Sequence, residues 1–305
     1  MGAGHGHGHG APTGHAGGRY RARLAAAFAL VAGFFVVELV TGIVSGSLAL
    51  ISDAGHMAAD VVALGAALVA TKIATRPDST GRRTYGSYRA EVFASGLTVL
   101  IMLGVAVYVV IEAIGRINGE PDVASTPMLV VGAIGLAINI VCVLLLRAGS
   151  QESLNVKGAY FEVVADAAGS VGVIIAGVLV TLTGNGLWDT LVALAIGIFV
   201  AIRAVVLGRQ VLAVLGQHIP EGMTLTEVVA DLESVPGVSD IHDLHIWTLT
   251  SGMNVATAHL VLGDGAAAQD VLAEAHRVLA ERHHIEHATL QVEETPTNRC
   301  HEVNW

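Results

Sequence analysis

Cysteine is scarce in this 305-residue chain, which holds only Cys142, inside an apolar run, and Cys300, near the C-terminus. Two thiols so placed exclude both a disulfide framework and a cysteine-rich zinc knuckle, so stability has to come from packing. Positive charge is also short: 16 Lys and Arg against 26 Asp and Glu give a formal charge of −10 and a pI near 5.7. Phosphate backbones require a basic face, so nucleic acid is not expected as a partner, whereas a cationic substrate suits the balance. No phosphate loop and no nucleophile elbow occurs, which disfavours an ATP-driven pump and a hydrolytic enzyme. No small-residue cleavage site precedes a mature soluble region, and the first apolar run is expected to be a retained anchor.

Apolar sequence dominates, with 53% hydrophobic residues and a mean hydropathy of +0.64. A spanning helix needs about 20 apolar residues, and six runs approach that length: Leu24 to Val44, Leu48 to Ala74, Ala90 to Ile117, Met128 to Leu146, Val156 to Thr183 and Leu187 to Leu207. Arg19, Arg21, Arg23, Lys72, Arg76, Arg82, Arg83, Arg89, Arg147, Lys157, Arg203 and Arg209 fall at one set of run ends and only Arg116 at the other. The positive-inside bias then places both termini in the cytoplasm of a multi-pass protein of the inner or plasma membrane. After Pro220-Glu221-Gly222 the hydropathy changes character. Thr224 to Val235 and Ala267 to His283 carry helical periodicity, with a capping-box spacing from Thr224 to Glu227. Ile241 to Thr250, Val255 to Leu262 and His287 to Val292 read as strands. The expected organisation is a disordered His/Gly-rich arm over 1–22, an all-α membrane domain over 23–210, a linker over 211–221, an α+β ferredoxin-like αββαβ domain over 222–295 and a tail over 296–305.

Ionisable residues within a span are functional candidates because each costs a few kcal/mol or more in hydrocarbon. The second run places His56 and Asp60 at i and i+4, on one helical face, with Asp53 a turn earlier; the fifth repeats the spacing with Glu162 and Asp166. A lone intramembrane histidine is more often a hydrogen-bonded bundle residue, but two matched pairs are far harder to keep in a bilayer without a cation or protons. Imidazole with carboxylates suits Zn2+, and also Co2+, Fe2+ or Mn2+. Gly55, Ala59, Gly169, Ser170 and Gly172 would let the two helices approach closely. Glu38 and Asn139, single polar groups in other runs, read better as helix-to-helix hydrogen-bond partners. A membrane-anchored metal sensor is the chief rival function, although a sensor has no need of four ligands at mid-membrane.

The stretches "ELVTGIVSGSLALISDAGHMAAD", "YGSYRAEV", "ESLNVKGAYFEVVADAAGSVGVI" and "PGVSDIHDLHIWTLTSG" together resemble the cation diffusion facilitator family, in its zinc-transporting bacterial branch. The resemblance covers nearly the whole chain. It implies a homodimer with six spans per protomer that exports metal in exchange for protons, using no organic cofactor. It matches His56, Asp60 and Asp166 to the family's transport ligands and favours His242 and His259 as regulatory cytoplasmic metal ligands, with Glu293 a candidate partner, leaving His245 nearer the core. His242 and His245, three apart on a strand, would share a site only if a bulge intervened. Glu162 departs from the family pattern, which commonly has His there. With Asp60, Glu162 and Asp166 ionised and His56 neutral, the set carries a formal −3, or −1 with a divalent ion. Glu162 then either holds a proton during the cycle, widens selectivity towards harder ions, or ligates Zn2+ as His would. His5, His7, His9 and His15 read as a mobile metal-capturing arm or an expression-tag remnant. His276, His283, His284, His287 and His301 are expected at the solvated surface, with Cys300 and His301 a possible partial site. The loop "TRPDSTGRRTYGSY" lacks histidine and is expected to hold no metal, its arginines facing lipid head groups or acidic tail residues.

Overall fold

The computed structural model describes residues 21–73, 85, 89–117, 123–147, 154–250 and 252–295. The histidines of the N-terminal arm, most of the loop after the second long helix, and Cys300 and His301 lie outside the described residues. The chain forms two compact units that divide between Gly208 and Arg209.

The first unit is built from six long helices: α1 (Arg21–Ser45), α2 (Leu48–Ile73), α3 (Ala90–Ile117), α4 (Ser125–Arg147), α5 (Leu154–Thr183) and α6 (Leu187–Leu215). Five of them, α1 and α3 to α6, contain stretches long and apolar enough to cross a membrane. The sequence suggested six such stretches; α2 is of similar length but carries Asp53, His56 and Asp60. In hydrocarbon every backbone polar group has to be satisfied within its own segment, which leaves helices as the available solution for such runs. Exposed Val44, Leu100, Ile111, Leu144 and Leu182 form an apolar exterior, the inverse of a water-soluble bundle. The core lies around Leu48, Met57, Val109, Met128, Leu146 and Val173. Small residues set the approach of α2: a Cβ at Gly55 would fall 2.3 Å from Val105 Cγ1 of α3, so this crossing needs glycine.

One polar junction ties three helices at the end of the unit where α2 begins. Ser47 caps α2, its hydroxyl accepting from the Leu50 amide at 3.1 Å and donating to Asp189 Oδ1 at 2.7 Å. The Leu48 and Ala49 amides also donate to the Asp189 carboxylate, at 2.7 and 3.1 Å. Asp189, itself in the first turn of α6 and fully buried, thus meets the positive ends of two helix dipoles. Arg116, near the end of α3, donates to the Gly46 carbonyl at 2.9 Å and lies 3.6 Å from Asp189 Oδ2. Arg116, the single basic residue at that set of ends, is therefore a structural counter-ion.

The second unit carries α7 (Leu225–Glu233), β1 (Val238–Thr250), β2 (Met253–Leu262), α8 (Ala268–His283) and β3 (His287–Glu293). This is the αββαβ order of a small α+β domain, with sheet order β1-β2-β3, β1 antiparallel and β3 parallel to β2. Thr224 caps α7 by accepting from the Glu227 amide at 3.3 Å. Val228, Leu232, Val271, Val278 and Leu279 pack the helices onto Ile246, Ala256 and Leu260. His283 departs from the solvated position expected of it: its side chain is 11% exposed and donates to Asp231 at 2.8 Å, tying the end of α8 to α7. Slight desolvation of Asp231 is outweighed by hydrogen bonds from Arg282 and His283, which hold its carboxyl below the ordinary range.

Asp189→Ala is expected to destabilise the helical unit by roughly 2–4 kcal/mol, because it strips buried α2 amides and Arg116 of their acceptor. Thermal unfolding in detergent should show a clear drop, partly recovered in Asp189→Ala/Arg116→Met; an unchanged midpoint would show that the junction carries no such weight.

Candidate metal centres

The first cluster lies between α2 and α5. The 3.6-residue period stacks His56 and Asp60 on one face of α2, with His56 Nδ1 3.6 Å from Asp60 Oδ2. From α5, Asp166 brings Oδ1 to 3.2 Å from His56 Nε2. One ligand atom from each of the three residues lies within 4.8 Å of the others, close enough to share one cation with small adjustments. His56 and Asp166 are buried and Asp60 is 12% exposed at its side chain. Glu162 lies on α5 one turn before Asp166, but its side chain is outside the described residues.

The helices meet closely here because Gly169 has no side chain: a Cβ would fall 2.5 Å from Asp53 Oδ1. Asp53 thus sits against the α5 backbone, and Glu38 of α1 is also buried. Both Glu38 oxygens are buried without a donor among the described residues. Asn139 does bond across helices, donating from Nδ2 to Ser170 Oγ at 3.3 Å.

Two neighbours escaped the sequence reading. Phe199 of α6 places its ring edge-on to the His56 ring, centroids 6.3 Å apart. Arg203, counted from sequence among the residues at cytoplasmic helix ends, instead lies well inside α6, because that helix continues to Leu215; its Nη1 is 2.8 Å from His56 Nε2. The signal available for it was an arginine preceding the final apolar residues of the sixth run.

The second cluster lies on the sheet of the α+β unit, on the face opposite the helices. His242 of β1 pairs directly with His259 of β2, and Glu293 closes β3. The ring centroids are 5.1 Å apart; Glu293 Oε2 is 3.5 Å from His242 Nε2 and Oε1 is 3.1 Å from His259 Nδ1. Gln291 orients the carboxylate through a 2.7 Å hydrogen bond, while His242 Nε2 is buried and without a hydrogen-bond partner among the described residues. One ligand atom from each of these three residues also lies within 4.8 Å of the others.

The strand between His242 and His245 is irregular. His242 pairs with His259 but His245 with Thr257, so β1 carries one extra residue, and Asp243 adopts a positive φ of 54°. This bulge turns His242 and His245 to the same face, against simple alternation. His245 is 55% exposed and bonded to Asp243 Oδ1 at 2.9 Å, so it is at the surface and not near the core.

Residues 24–215 match the family model for the cation efflux transmembrane domain, and residues 220–295 match that for the cation efflux protein cytoplasmic domain, a dimer unit by its designation. The chain is 42% identical over 301 residues to the metal cation efflux system protein CzcD of Cupriavidus metallidurans, covering 98% of this chain and 93% of that one. It is 34% identical to a cadmium, cobalt and zinc/H(+)-K(+) antiporter of Bacillus velezensis, covering 93% and 92%. It is 33% identical to the zinc transporter ZitB of Shigella flexneri, covering 92% and 90%.

Gly169→Ala is expected to force α2 from α5 and to lower stability by about 1–3 kcal/mol, the range for overpacking. Thermal unfolding in detergent checks this; wild-type stability would mean that Asp53 rotates away at no cost.

Proposed function

The chain belongs to the cation efflux, or cation diffusion facilitator, family, and on that premise we propose that it is a Zn2+/H+ antiporter exporting Zn2+ from the cytoplasm through the site formed by His56, Asp60, Glu162 and Asp166. It is a multi-pass membrane transporter of metal cations and not an enzyme. The observation that carries the reading is the buried convergence of His56, Asp60 and Asp166 from two long helices onto a volume the size of one ion's coordination shell. Glu162 supplies the fourth ligand from the turn before Asp166. Cd2+, Co2+, Mn2+ and Fe2+ are further candidate substrates, the harder ions being favoured by the added carboxylate oxygen.

Antiport follows from ligand chemistry. Metal ligands have to be deprotonated, so metal entering from the cytoplasm releases protons and protons loading from the other side expel metal. An imidazole titrates near neutrality, which suits such an exchange at ordinary pH. The six long helices all act as spans, with both termini in the cytoplasm of an inner or plasma-membrane protein. The α+β unit is read as a ferredoxin-like domain that pairs two protomers. His242, His259 and Glu293 on its sheet form a regulatory metal site, for which the relaxed, partly covered geometry of two imidazoles and a carboxylate is suited.

Sealed proteoliposomes under an imposed pH gradient test the main reading. Wild type should show proton-dependent Zn2+ flux, Asp60→Ala should abolish it, and Glu162→His should retain Zn2+ flux while losing transport of Mn2+ and Co2+. Binding without flux in wild type would identify a sensor instead, and unchanged selectivity in Glu162→His would remove the role assigned to the extra oxygen. For the sheet site, His242→Ala should reduce the number of Zn2+ ions bound per protomer at equilibrium; unchanged stoichiometry would show that these residues hold no metal.

A further inference from the structure

Arg203 of α6 lies against the proposed transport site, yet the chemistry described above gives it no task. Its Nη1 approaches His56 Nε2 at 2.8 Å, the same nitrogen that faces Asp166 at 3.2 Å. A guanidinium has only donors and keeps its charge at all relevant pH values. The imidazole therefore accepts this bond through the Nε2 lone pair, which places the ring proton of the neutral form on Nδ1, towards Asp60. That lone pair is also what the imidazole offers a metal on the Asp166 side. A nitrogen has one such pair, so guanidinium and metal cannot both hold it.

We propose that Arg203 is a tethered counter-cation of the intramembrane site, whose guanidinium competes with the transported metal for Nε2 of His56. The inference rests on the transport-site reading above. Loading metal displaces the guanidinium from the imidazole, and its return assists release. Phe199, one turn earlier on α6, gives the displaced group a place to rest: the Arg203 Cζ already lies 5.8 Å from that ring's centroid, within cation–π range. Because Arg203 is on α6 while the ligands are on α2 and α5, occupancy of the site changes which helices are joined across it. Arg203 lowers affinity and raises turnover, the balance a transporter needs in order to let its cargo go.

The test uses full-length protein in a background that carries His242→Ala and His259→Ala together with His5→Ala, His7→Ala, His9→Ala, His15→Ala, Cys300→Ser and His301→Ala, so that Zn2+ titrations report the intramembrane site. Adding Asp60→Ala should abolish binding, which verifies the site. Adding Arg203→Met should tighten Zn2+ binding by about tenfold or more, the scale expected when a nearby unit charge is removed from a poorly screened site. Arg203→Gln, which keeps donors without charge, should tighten it less, and Arg203→Lys should stay near the parent. In vesicles both neutral variants should show a lower KM together with a lower maximal rate. Unchanged or weaker binding in both neutral variants, with Asp60→Ala still abolishing it, overturns the counter-cation role alone. Binding that survives Asp60→Ala overturns the transport-site reading and this inference with it.

Discussion

Negative charge held away from water has to be matched, and most of what is specific about the helical unit follows from that constraint. A carboxylate in a low-dielectric setting is tolerated only with a proton, a cation or a dense set of donors beside it. Two of these solutions occur here at different places. Asp189 is met by backbone amides, a hydroxyl and Arg116. Asp60 and Asp166 face an imidazole, with a guanidinium behind it. The first builds the fold, and the second is the one that the proposed transport chemistry uses.

This ordering also bears on Glu162. Three ionised carboxylates and a neutral imidazole leave the proposed ligand set at −3; with Arg203 included the figure is −2, and a divalent ion brings it to zero. Within the proposed set, the charge of Arg203 on α6 offsets that of one carboxylate. Glycine at position 169 is part of the same arrangement, since it lets Asp53 press against α5 while Asp166 lies one turn away on the same helix.

Much of this was legible from sequence because it rests on local rules. The i, i+4 spacing of His56 and Asp60 fixes them on one helical face in any helix, and the Thr224–Glu227 cap and the α-β-β-α-β order follow from short-range patterns. What was missed depends on tertiary neighbours. Arg203 reads as an end-of-helix cation until α6 is seen to continue to Leu215, and Arg116 reads as an exception to the charge rule until Asp189 is found beside it. His245 was misplaced because strand alternation assumes no inserted residue, and the Asp243 bulge is a property of the paired sheet that the strand's own pattern does not announce.

The junction at Asp189 has a mechanical consequence. It fastens the beginning of α2 to the beginning of α6 and to the end of α3 through short, buried, charge-assisted bonds. Rods pinned together at one end behave as levers about a common pivot, so relative displacement grows with distance from it. His56 on α2 and Arg203 on α6 lie further along their rods, where a small rotation about Asp189 opens or closes the gap between imidazole and guanidinium. The far ends of the same helices sweep the widest arc in any such rotation.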